Sequence, residues 1–292
     1  MARVSDAASI FRFAQFEFPW ALGPDDGRYV VRARGGDAIE HVLVLATLGA
    51  PERRLLARRR PRDAEPEAPP VPVPTTRATV IAAEPFADAA AAEAWLGLQR
   101  EDRDETELRG AIDVLNRVLH AQRIASADAL VREVALPQAL VARLGYGRGE
   151  EVADGRWSAA FELPAEARPQ PRRRASALRP QERLAALIGG RDAPLACEEL
   201  TLRARHDYHG GRVREAALEL RVALEAALAE LDPADAGMAE RIAELRERRG
   251  AVGDAANAAL AGELPEDLAA SVGDTLERLA AALRARTAAR LR

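Results

Sequence analysis

The sequence predicts an α+β fold, in which a small antiparallel β-rich N-terminal region is followed by a C-terminal all-α antiparallel helical bundle. Strand-like alternation, together with four of the six phenylalanines, falls within residues 1–50. From residue 181 onward, apolar residues instead recur at helical spacing. Two stretches rich in arginine and proline separate these segments. The predicted parts of the chain are therefore 1–50, 51–75, 76–165, 166–180 and 181–292.

Three strands are predicted in the first segment. Residues 9–18, SIFRFAQFEF, contain two phenylalanines at odd-numbered positions and two at even-numbered positions. Either both faces of the sheet are covered, or a bulge near Ala14 turns all four rings to one side. Residues 28–34 and 41–48 alternate in the same way across a short glycine-containing loop, which predicts an antiparallel hairpin. At the start of the third strand we expect His41 to be an edge residue with satisfied hydrogen bonds.

The two separating stretches read as linkers. Residues 51–75 combine six arginines with closely spaced prolines, which favour a stiff polyproline II spacer. Pro69 and Pro72 form a PxxP pattern, and Ser176 in the basic hinge of 166–180 follows an arginine run, as in sites of basophilic kinases. The sequence leaves open whether these arginines bind phosphate or are solvated spacers, and whether Ser176 is modified.

The middle segment, 76–165, is predicted to be α+β and to pack with the N-terminal strands. Its elements are a strand over 76–83, helices over 87–98 and 105–122, and a further helix from Ser126 that stops before Pro137. The run GYGRGEE, from Gly145, superficially resembles a phosphate-binding turn, but its two glutamates would repel a phosphate. We interpret this run as a glycine-rich hairpin connection.

Four or five amphipathic helices are predicted in the C-terminal segment, and they make an antiparallel bundle. They cover 181–188, 195–209, 212–231, 238–250 and a stretch from residue 265. The second and third of these helices form a hairpin that contains two of the four histidines. The candidate binding residues are Arg203, His206, Asp207, Tyr208, His209 and Arg212.

The polar residues of this hairpin permit two interpretations. At the end of a helix, the side chains of His206, Tyr208 and His209 would donate to its last carbonyls. As metal ligands, the two histidines lie at i,i+3, but Cys197 is too far along the same helix to complete a zinc site. The sequence therefore predicts neither a metal nor a cofactor.

The hairpin over 201–231 resembles a single tetratricopeptide-like unit. The small and apolar residues that let two such helices pack closely are Ala204, Gly211, Ala216, Leu220, Ala223 and Leu224. Asp207 stands where that family usually has tyrosine, and no second unit follows at a period of about 34 residues. The resemblance implies a helical surface that binds a partner protein.

The bundle is also similar to HEPN domains, helical modules often tied to RNA cleavage or nucleotide chemistry. That family's arginine–histidine motif could be matched by Arg203 and His209, although here the pair precedes the alanine-rich helix. The resemblance implies that His209 would act as a base on a 2′-hydroxyl while Arg203 holds the phosphate.

Composition and charge narrow the class of function. A net charge of −4 and a pI near 5.8 disfavour nucleic acid or anionic lipid as a partner of the whole chain. One cysteine, no signal peptide and no apolar run of about 18 residues predict a cytoplasmic protein without a membrane span.

We therefore predict a non-enzymatic protein–protein interaction or regulatory accessory protein, which uses the C-terminal bundle as a docking surface for another protein. The alternative is a HEPN-like RNA-binding or RNA-cleaving domain. The residues do not specify the partner, the pathway or the oligomeric state.

Overall fold

The computed structural model describes residues 9–33, 36–49, 75–102, 105–163, 180–235 and 237–290. The chain divides into two compact units, residues 1–170 and 171–292. The first unit contains an antiparallel sheet with helices and the second is built from helices, which confirms the predicted α+β fold. The hypotheses on the PxxP pattern and on Ser176 concern residues outside the described ranges.

Six strands of the described residues form one antiparallel sheet in the N-terminal unit, in the order β2-β3-β4-β1-β5-β6. Their bounds are β1 Ile10–Phe18, β2 Gly27–Arg32, β3 Ile39–Leu48, β4 Thr75–Ala82, β5 Val141–Arg148 and β6 Ala159–Glu162. The predicted β2–β3 hairpin is present, and β1 lies between two strands of the middle segment.

Three helices of the described residues accompany the sheet: α1 Ala89–Glu101, α2 Thr106–Ala125 and the short α3 Gly149–Ala153. The start of α1 is fixed by Asp88, whose carboxylate accepts a 2.8 Å hydrogen bond from the Ala91 amide. The apolar stripe of α2 is buried against the sheet, as its spacing predicts.

Both faces of the sheet are covered, which decides between the two alternatives for β1. Its register against β4 and β5 is unbroken, so no bulge redirects the rings. Phe16 and Phe18 pack into the core formed with α2. Phe11 and Phe13 lie on the opposite face, in a smaller cluster with Val152 of α3.

Two local predictions in the middle segment differ from the structure, one entirely and one in part. Ser126 does not begin a helix, because its amide and its hydroxyl both donate to the Gln122 carbonyl and so end α2. The chain then turns and forms only a 3₁₀ turn at Leu136–Gln138. The glycine run is a hairpin connection only in part: Gly145 and Gly147 lie in strand β5, whereas Gly149 begins α3, which connects β5 to its antiparallel partner β6.

Six helices of the described residues make the C-terminal unit. They are α4 Pro180–Ile188, α5 Ala196–His209, α6 Val213–Glu230, α7 Met238–Glu247, α8 Arg249–Ala261 and α9 Glu266–Arg290. The helix predicted over 238–250 ends at Glu247, and the chain continues at once in α8, which was not predicted. Val252, Ala255 and Ala259 give α8 a buried face despite two glycines in the same helix.

Alanine and leucine fill the core of this unit, with Ala216, Leu220, Ala223 and Ala227 of α6 fully buried. Small side chains let neighbouring helices approach closely. No helix in the described part of the chain is both long and apolar enough to cross a membrane.

A network of ion pairs and caps joins the helix ends. Glu198 accepts from Arg183 at 2.6 Å and from the buried Arg286 at 3.3 Å, so it connects α4, α5 and α9. The carboxylate of Glu230 accepts from the amides of Ala196 and Cys197 and thereby caps α5 from the end of α6.

The one cysteine is part of this network and is shielded from water. Burial and the neighbouring Glu230 carboxylate raise the pKa of the Cys197 thiol to about 12. A thiol with so high a pKa is unreactive at neutral pH while the helix stays folded.

Candidate functional site

The turn between α5 and α6, together with the last two turns of α5, contains the six residues predicted to bind. Its backbone forms a Schellman motif, in which the Arg212 amide donates to the Asp207 carbonyl at 2.8 Å and the Gly211 amide to the Tyr208 carbonyl at 3.0 Å. Gly211 supplies the left-handed conformation that this motif requires, at φ +70°. Backbone amides thus satisfy the last carbonyls of α5, for which the sequence suggested donors from side chains.

Asp207 and Arg212 serve the turn itself. The Arg212 Nε donates to the Asp207 carboxylate at 2.6 Å, and both side chains are mostly shielded from solvent. The guanidinium also lies over Gly210, where any side chain would collide with it. These two candidate binding residues therefore clamp the turn and are not free to bind a partner.

Three of the remaining candidates, Arg203, His206 and His209, are exposed. Arg203 is exposed and donates to Glu199 one turn away, at 2.9 Å. His206 and His209 are exposed at the end of α5. His209 lines a cleft of about 240 Å³, whereas Arg203 is not among the described residues around that cleft. The structure therefore does not bring together the arginine and histidine that the HEPN-like mechanism would use.

This cleft lies between the end of α5 and the middle of α9. Tyr208 forms part of its wall and packs so closely on Gly273 that a Cβ there would collide with the tyrosine hydroxyl. Leu276 adds apolar surface, and Arg205 pairs with Glu277 at 3.0 Å. The Nε of Arg205 is buried and has no hydrogen-bond acceptor within the described residues.

A larger cavity, of about 370 Å³, opens in the N-terminal unit between the sheet and the helices α1 and α2. Apolar side chains form much of its lining: Val80, Ala82, Trp95, Ala111, Val114 and Leu144. The charged residues of the lining are Arg12 from β1, Glu40 from β3, and Glu107, Asp113 and Arg117 from α2. The combination of an apolar lining with a few charged groups is typical of small-molecule sites.

His41 lies at this cavity and is not a satisfied edge residue. Its Nδ1 is buried without a hydrogen-bond partner in the described part of the chain, and the nearest carboxylate oxygen, on Glu40, is 4.0 Å away. Burial lowers the pKa of His41; Glu40 and Glu107 oppose this shift, and Arg12 and Arg117 reinforce it. The imidazole is therefore neutral at pH 7.

The sequence contains little signal for this cavity, because its residues come from six separate elements: β1, β3, β4, β5, α1 and α2. Arg12 and His41 face α2 only through their parity in β1 and β3, and the charged cavity residues of α2 lie outside its buried apolar stripe. Parity relative to the phenylalanines could have placed Arg12 on the same side as Phe16.

Neither unit contains a group of three or more histidine, cysteine, aspartate or glutamate side chains suited to a metal, as far as the described residues extend. Comparison of the sequence with protein-family models, with curated proteins and with solved structures found no match.

Proposed function

We propose that this chain is a non-enzymatic accessory protein of the cytoplasm, which docks a partner protein at the cleft beside the α5–α6 turn. The observation that carries the proposal is a rigid, clamped turn next to a cleft that combines apolar walls with unsatisfied polar groups. Rigid anchors lower the entropy cost of association.

The occupant best suited to this cleft is a protein segment that inserts one apolar side chain and presents a carboxylate beside it. Tyr208 and Leu276 supply the apolar contact surface. The exposed imidazole of His209 makes no hydrogen bond within the described residues and is available to a carboxylate on the partner. Glu277 and Asp274 at the rim are already paired, with Arg205 and Arg248.

Site-specific photocrosslinking tests this proposal with the full chain in cells of its source organism. A photoreactive phenylalanine analogue at the exposed rim position Asp274, which leaves His209, Tyr208 and Leu276 in place, should give a crosslinked partner. The matched control places the analogue at the exposed Glu240 of α7, which is away from the cleft. Equal crosslinking at both positions, or none at 274, would reject the docking site.

A second measurement uses the purified partner. Changing His209→Ala should weaken its binding by on the order of tenfold, since a hydrogen bond to a charged group contributes about 1.5–3 kcal/mol. Glu240→Ala should leave the affinity unchanged.

A further inference from the structure

The cavity of the N-terminal unit holds two charges of opposite sign that the protein itself does not pair. Arg12 and Glu107 are half-buried and line the same cavity, yet neither makes a hydrogen bond or ion pair within the described residues. Elsewhere in the cavity charge is used internally, since Arg117 pairs with Glu40 at 3.0 Å. Unpaired, partly desolvated charges are costly to a folded chain, so their retention points to a ligand.

We propose that this cavity binds a small zwitterion, with the ligand's carboxylate on Arg12, its ammonium group on Glu107 and its apolar part against Trp95, Val80 and Leu144. This site is independent of the docking proposed for the C-terminal bundle. The cavity volume of about 370 Å³ suits a molecule the size of an amino acid, near the lower limit of small-molecule pockets.

The charge balance of the cavity excludes simpler ligands. A phosphate or other multiply charged anion would meet Arg12 but also the carboxylates of Glu40 and Glu107. A simple amine would satisfy Glu107 and leave the guanidinium of Arg12 unpaired in a cavity from which the ligand has displaced water. Only a molecule carrying both charges satisfies both groups.

His41 supports this assignment through its neutrality. Because burial lowers its pKa, the imidazole does not compete with Arg12 for the ligand's carboxylate. It faces the same side of the sheet as Arg12, which places an uncharged polar group at the cavity wall.

Calorimetric titration of the full chain tests the proposal. The probes are the common amino acids, and for leucine also N-acetyl-leucine, which lacks the ammonium group, and leucinamide, which lacks the carboxylate. We expect at least one apolar amino acid to bind, and for leucine we expect both analogues to bind on the order of tenfold to a hundredfold more weakly. If no amino acid binds at millimolar concentration, or if leucine binds no better than its analogues, the proposal is wrong.

Paired variants assign each charge. Arg12→Gln should remove the preference for leucine over leucinamide, and Glu107→Gln the preference over N-acetyl-leucine. Arg156→Gln, which changes an exposed arginine of the same unit, should alter neither preference. Unchanged preferences in both cavity variants would overturn the assignment.

Trp95 provides a readout of location. Binding should change its fluorescence, and this change should disappear in Trp95→Phe, because the other two tryptophans, Trp20 and Trp157, are not among the described residues of this cavity.

If Arg12→Gln does not fold, Arg12→Lys keeps the charge but loses the bidentate geometry, and it should retain weakened binding. Wild-type affinity in Arg12→Lys would contradict a direct guanidinium–carboxylate contact.

Discussion

Two arginines, one in each unit, show how differently this chain uses buried charge. Arg286 in the C-terminal unit is 3% exposed and donates to Glu198, which is held in turn by Arg183. Arg12 in the N-terminal unit is half-buried, and no carboxylate of the described residues pairs with it. The charge of Arg286 joins helices through Glu198, whereas the charge of Arg12 lines a cavity without an ion-pair partner in the described residues.

The two units also differ in the side chains that fill their cores and in how their helix ends are stabilised. The N-terminal unit packs aromatic rings on both faces of a sheet and leaves a cavity under α1 and α2. The C-terminal unit packs alanine and leucine between helices whose ends are capped and ion-paired. Each of the two proposed sites contains a buried polar atom without a hydrogen-bond partner in the described residues, His41 Nδ1 in the N-terminal cavity and Arg205 Nε in the C-terminal cleft.

Separate probes exist for the two units. All three tryptophans lie in the N-terminal unit, and the one cysteine lies in the C-terminal unit. Tryptophan fluorescence therefore follows unfolding of the first unit, and the rate of Cys197 modification follows opening of the second.

The largest effect is expected from Glu198→Gln. The change leaves Arg286 buried without its counter-ion, and breaking a buried pair in this way costs about 3 kcal/mol or more. Modification of Cys197 by a thiol reagent under native conditions should become on the order of a hundredfold faster.

Two controls complete this comparison of charges. Glu199→Gln breaks only the exposed pair with Arg203 and should cost less than about 1 kcal/mol. Arg12→Gln should not lower the stability of the N-terminal unit in urea, followed by tryptophan fluorescence, because it removes an unpaired charge. A large loss of stability in Arg12→Gln would show that Arg12 has a structural role and would weaken the contrast between the units.

A smaller effect is expected from Gly145→Ala. A Cβ at this position would lie 2.5 Å from the Ala159 carbonyl and 2.8 Å from Phe13, so strands must separate to admit it. Overpacking of this kind costs about 1–3 kcal/mol, measured as a lower urea midpoint of tryptophan fluorescence.

The matched control is Gly97→Ala, in the exposed part of α1, where a Cβ meets nothing within 4 Å. Because alanine favours the helix, this variant should gain up to about 1 kcal/mol. Equal stability of the two variants would show that the close approach at Gly145 is not structurally required.

Gly145 shows which part of the fold local sequence patterns do not predict. Long periodic elements such as α2, α5 and α6 were predicted to within a few residues, because the spacing of apolar side chains depends only on the local helix. Strand β5 was not predicted because glycine has no side chain and so adds nothing to an alternating strand pattern. Gly145 is needed there for its close contact with Ala159 and Phe13, which local sequence does not reveal.

The two candidate sites also differ in how far the sequence predicts them. The α5–α6 turn was predicted because its glycines and flanking helices are contiguous, but the roles of Asp207 and Arg212 as a clamp depend on their mutual distance. The N-terminal cavity was not predicted, since it needs the pairing of strands that are far apart in the chain. Local pattern therefore indicates where elements form, and long-range pairing determines which polar groups stay unsatisfied.

The smallest effect is expected in the pH dependence of the N-terminal unit. Because the pKa of His41 is lowered by burial from its ordinary value of 6.5, the unfolded chain takes up a proton at a higher pH than the folded chain. Stability should therefore be constant with respect to this group above about pH 7 and fall as the pH decreases below 6.5. The fall should cease once the pH is below the pKa of the folded state.

The groups that modulate this titration are Glu40 and Glu107, which favour the protonated imidazole, and Arg12 and Arg117, which oppose it. His41→Gln should flatten the decrease between pH 7 and acid, followed by urea unfolding with tryptophan fluorescence. Arg12→Gln removes an opposing cation, so His41 should then protonate more readily and the decrease should become shallower. An unchanged decrease in Arg12→Gln would mean that the Arg12 guanidinium does not act on His41, and the two groups would then not share the cavity.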